Sequence, residues 1–177
     1  MEFPKLSTQF LINRLEPPKG RVRMVLDTDT YNEVDDQFAL AYAIKSDAKI
    51  DLEAVYAAPF FNERSTGPKE GMELSYKEIL KILNILNVGS ENFVFKGSTD
   101  YLKDIEKPEQ SEAVLDLIER AMASDDDNPL YVVAIGAITN IASALLIKPE
   151  IIKKIVVVWL GGTALFWDNC REFNLAQ

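Results

Sequence analysis

The sequence contains no histidine. Within these residues that excludes imidazole as a general base, a nucleophile or a metal ligand. The single cysteine, Cys170, excludes an internal disulfide framework and fits a reducing compartment, so a cytoplasmic location is expected. No apolar run approaches the length that spans a bilayer, and residues 1–9 lack a basic segment leading into an apolar one. Neither a membrane anchor nor a signal peptide is therefore expected. Positive charge is scarce as well, with 19 Lys and Arg against 28 Asp and Glu and a net charge of -9. That balance argues against nucleic acid or an anionic membrane as a partner.

Of 177 residues 47% are apolar, enough for one domain with a sizeable core. Residues 1–20 end in the breaker Pro17-Pro18-Lys19-Gly20 and read as a loosely packed N-terminal extension. Residues 21–177 read as an α/β unit. Strands are predicted over 21–28, 50–57, 93–95, 130–135 and 155–160. Helices are predicted over 35–46, 72–87, 109–123 and 139–147, with Phe38, Ala41, Tyr42 and Lys45 sharing one side of the first. The strands are nearly continuous apolar runs, which predicts a mostly parallel sheet covered by helices on both faces. Residues 161–177 read as a polar, aromatic loop with no closing element, so the chain is expected to be the N-terminal part of a longer protein. An unfinished sheet edge would invite pairing with a second copy, and a homodimer or other homo-oligomer is the expected assembly.

Ligands of open parallel sheets bind beyond the C-terminal strand ends. At that edge the sequence places Asp27, Asp29, Asp35 and Asp36 after the first strand and Asn62 after the second. Gly136 to Asn140 follow the fourth strand, and Gly161 to Asn174 follow the last. Taken singly, Asp35 or Asp36 reads as a helix-capping acid and Asp29 as a turn residue. Four carboxylates at one strand end repel one another unless a cation or a hydrogen-bond network offsets them. Oxygen donors without Cys or His favour a hard cation, Ca²⁺ or Mg²⁺.

Asp27-Thr28-Asp29 with Asp35-Asp36 and Ala39-Leu40 resembles the N-terminal fingerprint of the inosine-uridine preferring nucleoside hydrolases. Residues 135–142, Ile-Gly-Ala-Ile-Thr-Asn-Ile-Ala, resemble that family's second signature. Trp159-Leu160-Gly161-Gly162 followed by Glu172-Phe173-Asn174 resembles its third. The resemblance implies a nucleoside-hydrolase-like, Rossmann-like fold and a nucleoside or ribosyl substrate cleaved into base and ribose, a reaction of nucleoside salvage. It implies Asp29 and Asp36 as Ca²⁺ ligands, Asp29 also as the general base for water, and Thr139 as a ligand through its main-chain carbonyl. Asp35, Asn62, Asn169, Glu172 and Asn174 would bind the sugar, Asn169 and Glu172 near its 5′ end. Asp27 would brace the loop.

The chain departs from that pattern in three places. Five residues, Thr30 to Val34, separate the two aspartate pairs where the family usually has three beginning Pro-Gly, so Tyr31, Asn32 or Glu33 is expected to project into the pocket. The segment between Gly162 and Glu172 is short. A further aspartate ligand, and in many members a histidine acid, come from a C-terminal region of the family. Without that region, weak Ca²⁺ binding and poor hydrolysis are expected of these residues. Two alternatives stand beside this reading. One is a haloacid-dehalogenase-type phosphatase with Asp27 as nucleophile and Mg²⁺ as cation. The other is a non-catalytic ribose- or nucleoside-binding relative.

Overall fold

The computed structural model describes residues 2–125, 127–164, 166 and 172–177. Five strands form one sheet: β1 (Val22–Thr28), β2 (Ile50–Ala57), β3 (Val94–Lys96), β4 (Leu130–Ala134) and β5 (Ile155–Trp159). Every pairing is parallel and the spatial order is β3-β2-β1-β4-β5. Among the described residues six α-helices accompany them: α1 (Thr8–Leu15), α2 (Val34–Lys45), α3 (Pro68–Leu86), α4 (Glu112–Met122), α5 (Thr139–Ile147) and α6 (Phe173–Ala176). A 3-10 turn over Pro149–Lys153 leads into β5. No helix among the described residues is long and apolar enough to cross a membrane.

Alternation along the strands builds two cores, one on each face of the sheet. Val25, Tyr56, Val132 and Ile155 face α4 and α5, where they meet Val114, Leu117, Ile141 and Ala144. Met24, Leu26, Val55 and Val94 face α2 and α3, against Leu40, Met72, Ile79 and Leu83. Both sides of β1 are thus buried, as its unbroken apolar run requires. At β5 the cover is partial, because Val157 is 40% and Val158 50% exposed. The expected two-sided burial holds in the middle of the sheet and fails at this edge.

Local chemistry sets the helix boundaries. α3 starts four residues before the predicted Met72, because Pro68 at its first turn is pre-set for the helix and Glu70 accepts from the Thr66 amide and hydroxyl, each at 2.6 Å. Asn87 closes it in the left-handed conformation, φ 57°. α4 starts at Glu112 rather than Glu109, since the Ser111 hydroxyl accepts from the Val114 amide at 3.3 Å. On α2 the buried residues are Asp36, Leu40 and Ala43, so the side carrying Phe38 and Tyr42 faces outward, at 71% and 73% exposure. The extension contains α1, capped by Ser7 and with no buried residue, and Arg14 of α1 donates to the Lys153 carbonyl at 3.3 Å.

The expected structureless tail is also corrected: α6 is a single turn begun by Glu172, whose carboxylate accepts from the Asn174 and Leu175 amides. One turn is too short to leave a periodic signal.

Candidate active site

The chain runs from β1 outward to β3 and then returns to place β4 on the other side of β1. The C-terminal ends of β1 and β4 therefore form the switch point of the sheet, where open α/β folds bind ligands. Asp27 lies in the last turn of that strand ladder, opposite Tyr56 and Ala134, and Asp29 follows β1 directly. Asp36 stands in the first turn of α2, where the helix N-terminus favours negative charge.

Asp27, Asp29 and Asp36 are all buried. Oδ2 of Asp27 accepts from the Asn140 amide at 2.8 Å, while its Oδ1 has no hydrogen-bond partner among the described residues. Asn140 also accepts from the Ser98 amide and hydroxyl, both at 2.8 Å. One side chain at the start of α5 thus ties β1 to the exit of β3. A Cβ at Gly97 would come within 2.1 Å of the Ala57 carbonyl and 2.5 Å of the Asn140 amide, so only glycine admits this approach. The Asp27 carboxylate thus braces β1 against α5 rather than the loop it was expected to brace.

Around Asp29 the five-residue loop folds inward. Asn32 is buried, and its amide donates to Oδ2 of Asp29 at 2.9 Å. The Asn32 backbone amide donates to the Asp29 carbonyl at 2.7 Å. Oδ1 of Asn32 accepts from the Asn62 amide at 2.7 Å, and Oδ1 of Asn62 accepts from the Arg64 amide at 3.0 Å. Tyr31 stacks on Phe60 with ring centroids 6.5 Å apart, and Glu33 points to solvent. On the other carboxylate, Oδ1 of Asp36 accepts from the Thr28 hydroxyl at 2.5 Å, and that hydroxyl lies 2.9 Å from Thr30 Oγ1.

Burial pushes all three carboxyls up to about 7. At Asp27 the Asn140 amide opposes burial; at Asp29 the Asn32 amide does. At Asp36 the Asp29 charge adds to burial, and the Thr28 hydroxyl opposes it. Near neutral pH these groups therefore hold protons far more readily than ordinary aspartates, and a nearby positive charge would displace those protons. Burial, and then the Asp29 charge, also raises the Tyr101 phenol well above its ordinary value.

The β4 side closes the site. A Cβ on Gly136 would stand 2.9 Å from Oδ1 of Asp29. The Trp159 indole donates to the Gly136 carbonyl at 3.0 Å. Thr139 is buried as the first residue of α5, but the capping position belongs to Ile138, which has no side-chain cap. The Asn174 amide donates to the Ile135 and Leu160 carbonyls, both at 2.9 Å, bridging the exits of β4 and β5. Glu172 accepts from the Gly162 amide at 2.8 Å besides capping α6. The Phe61 amide donates to Gln177 at 3.0 Å, so the tail reaches the loop after β2.

Asp29, Asp36 and Asn62 thus come together around the switch point, with Thr139 buried at the start of α5. Asp35 is exposed at the start of α2. Asn169 lies outside the described residues, as do Trp167 and Cys170. Sequence reasoning missed Asn140 as the partner of Asp27 and Ser98 as the partner of Asn140. The only sequence signal for either was the Thr139-Asn140 pair opening a helix.

The donors are all oxygen, which fits a hard cation. The orphaned Oδ1 of Asp27 and the neutralising need of three raised carboxyls point the same way. Among the described residues, however, no group of three or more Asp, Glu, His or Cys side chains is arranged to hold a metal. The shell is right in kind and partial in number. With Asp27 fully buried against Asn140, nothing here favours it as an exposed phosphatase nucleophile.

A family model described as inosine-uridine preferring nucleoside hydrolase matches residues 24–177. Among solved structures, a purine-preferring ribonucleoside hydrolase from Gardnerella vaginalis is 25% identical, with TM-score 0.60 over 80% of this chain and 49% of its own. An inosine-guanosine nucleoside hydrolase is 18% identical, with TM-score 0.65 over 87% and 54%. The type III effector protein XopQ, complexed with adenosine diphosphate ribose, is 17% identical, with TM-score 0.61 over 97% and 55%. No curated protein sequence matches. The chain spans about half the length of these solved relatives. With its switch-point aspartates, its parallel sheet and a match across almost all of it, the chain belongs to the inosine-uridine preferring nucleoside hydrolase family.

Proposed function

We propose that this site serves Ca²⁺-dependent cleavage of the N-glycosidic bond of ribonucleosides, giving base and ribose. The observation that carries the reading is the pair Asp29 and Asp36, buried together at the switch point and both raised to about 7. Asp29, Asp36 and the Thr139 carbonyl would hold the ion. When bound, it supplies Lewis-acid activation of water and a chelate for the ribose diol. Asp29 takes the proton of the attacking water, and Asn32 keeps Oδ2 of that carboxylate fixed while it does so. The water oxygen bonds to C1′ as the C1′–N bond breaks, the base leaves with the bond pair and takes a proton from solvent, and buried carboxylates stabilise the oxocarbenium character that develops.

Asp35, Asn62, Asn169, Glu172 and Asn174 are assigned to the sugar hydroxyls. Both carbonyl partners of Asn174 occupy its amide, which leaves its Oδ1 as the atom for ribose. Glu172 orders the Gly162 turn and α6 beside them.

Ribose released from inosine and uridine tests the reading. Slow release that requires Ca²⁺ and falls to background in Asp29→Asn is expected. Equal release with and without Ca²⁺, or neither release nor Ca²⁺-dependent inosine binding, contradicts it.

A further inference from the structure

The two functional halves of the site, carboxylate and sugar amide, meet in one side chain that the family's three-residue loop does not supply. Asn32 sits in the five-residue connection between Asp29 and Asp35, with 3% of its surface exposed. Its partners fix its orientation without ambiguity. The Arg64 backbone amide can only donate, so it takes the Asn62 oxygen; the Asn62 amide then faces the Asn32 oxygen, and the Asn32 amide nitrogen faces Asp29. Hydrogen bonds of one polarity run from Asn62 through Asn32 into Asp29, at 2.7 and 2.9 Å.

We infer that Asn32 is a positioning residue that sets Asp29 and Asn62 relative to one another, so that the water-activating carboxylate and the sugar-binding amide move as one unit. Its backbone amide anchors the same turn on the Asp29 carbonyl at 2.7 Å, which makes the loop stiff rather than a tether. The longer loop therefore replaces the compact turn with a side-chain strut. This rests on the ribonucleoside reading for what Asp29 and Asn62 do, but not for the strut itself.

The test uses the 177-residue chain and Asn32→Ala, with Ca²⁺ and free ribose as probes, and reads two things. Side-chain amide resonances of Asn62, assigned with Asn62→Ala, report the strut directly. In Asn32→Ala they should move to the positions of an exposed asparagine. Calorimetric titration should show the Kd for ribose and for Ca²⁺ raised roughly 10-fold or more, the scale of losing an outer-shell partner of a ligand. Asn32→Ser, which keeps a donor for Asp29 but is too short to reach both partners, should recover Ca²⁺ affinity and not ribose affinity. A merely structural role predicts equal loss of both in either variant.

Unchanged Asn62 resonances in Asn32→Ala overturn the inference. Unchanged dissociation constants overturn it too. If the parent chain binds neither probe, the ribonucleoside reading fails while the Asn62 resonances still decide the strut. Should Asn32→Ala not fold, the Asn32 amide resonances of Asn62→Ala examine the same pair from its more exposed end, and their invariance is equally fatal.

Discussion

Asn140 carries more of the site's architecture than any of the aspartates it serves. Its amide is the one hydrogen-bond partner of the Asp27 carboxylate among the described residues, and its oxygen takes two donors from Ser98. Asn140→Ala leaves a buried carboxyl without any partner and a buried amide unsatisfied. We expect a loss of about 1–3 kcal/mol, read from urea unfolding. An unchanged midpoint would mean that water replaces both bonds. Gly136 makes a different point. A methyl group there would lie 2.9 Å from Oδ1 of Asp29 and 3.0 Å from the Ala58 Cβ, so Gly136→Ala must displace the carboxylate or the strand end. The expected outcome is weakened Ca²⁺ binding by titration with little change in the far-UV spectrum. Residues such as Asp29 and Asp36 were legible in the sequence because four acids at one strand end demand a cause. The hydrogen-bonding roles of Asn140 and Ser98 were not, because a buried amide pairing two strand ends leaves no periodicity and no charge anomaly; Asn32 was legible only as one of three loop residues expected to enter the pocket.

At the scale of elements, the sheet and its helices followed from nearly continuous apolar strands alternating with helical periodicity, and the misjudged ends came from side chains acting on single amides. Pro68, Glu70 and Ser111 moved two helix starts, and Glu172 created α6 where only a loop was expected. That short helix places Asn174 across the exits of β4 and β5, so its cap matters beyond its length. Glu172→Ala removes the acceptor of the Gly162, Asn174 and Leu175 amides together. Fast hydrogen exchange at Asn174 and Leu175, with the global unfolding midpoint nearly unchanged, is the expected result. Protection equal to the parent chain would show that packing, not the cap, holds α6. The outward side of α2 teaches the same lesson about patterns. Phe38 and Tyr42 share a helical spacing, yet the core takes the stripe of Asp36, Leu40 and Ala43 because the site needs Asp36 inside.

For the whole molecule, the three raised carboxyls couple stability to pH and to cations. Each rises from 3.8 to about 7 on folding, so between those values the folded chain holds more protons than the unfolded one. Their contribution therefore favours folding at mildly acid pH and is lost as pH rises through 7. Urea midpoints should be higher at pH 5.5 than at pH 8, and Ca²⁺ should raise the midpoint at pH 8 more than at pH 5.5. The reverse order would mean that the carboxyls are ionised in the folded chain without a cation. Family and fold were readable from three signatures laid out on one parallel sheet; the strength of cation binding was not, because it depends on how many oxygens converge. Direct calorimetric titration of Ca²⁺ into the chain, its Asp29→Asn form and its Asp36→Asn form tests the central claim. A single weak site, with Kd above about 10⁻⁴ M, that disappears in both variants is the predicted result. An isotherm identical in all three proteins would contradict a cation site built on Asp29 and Asp36.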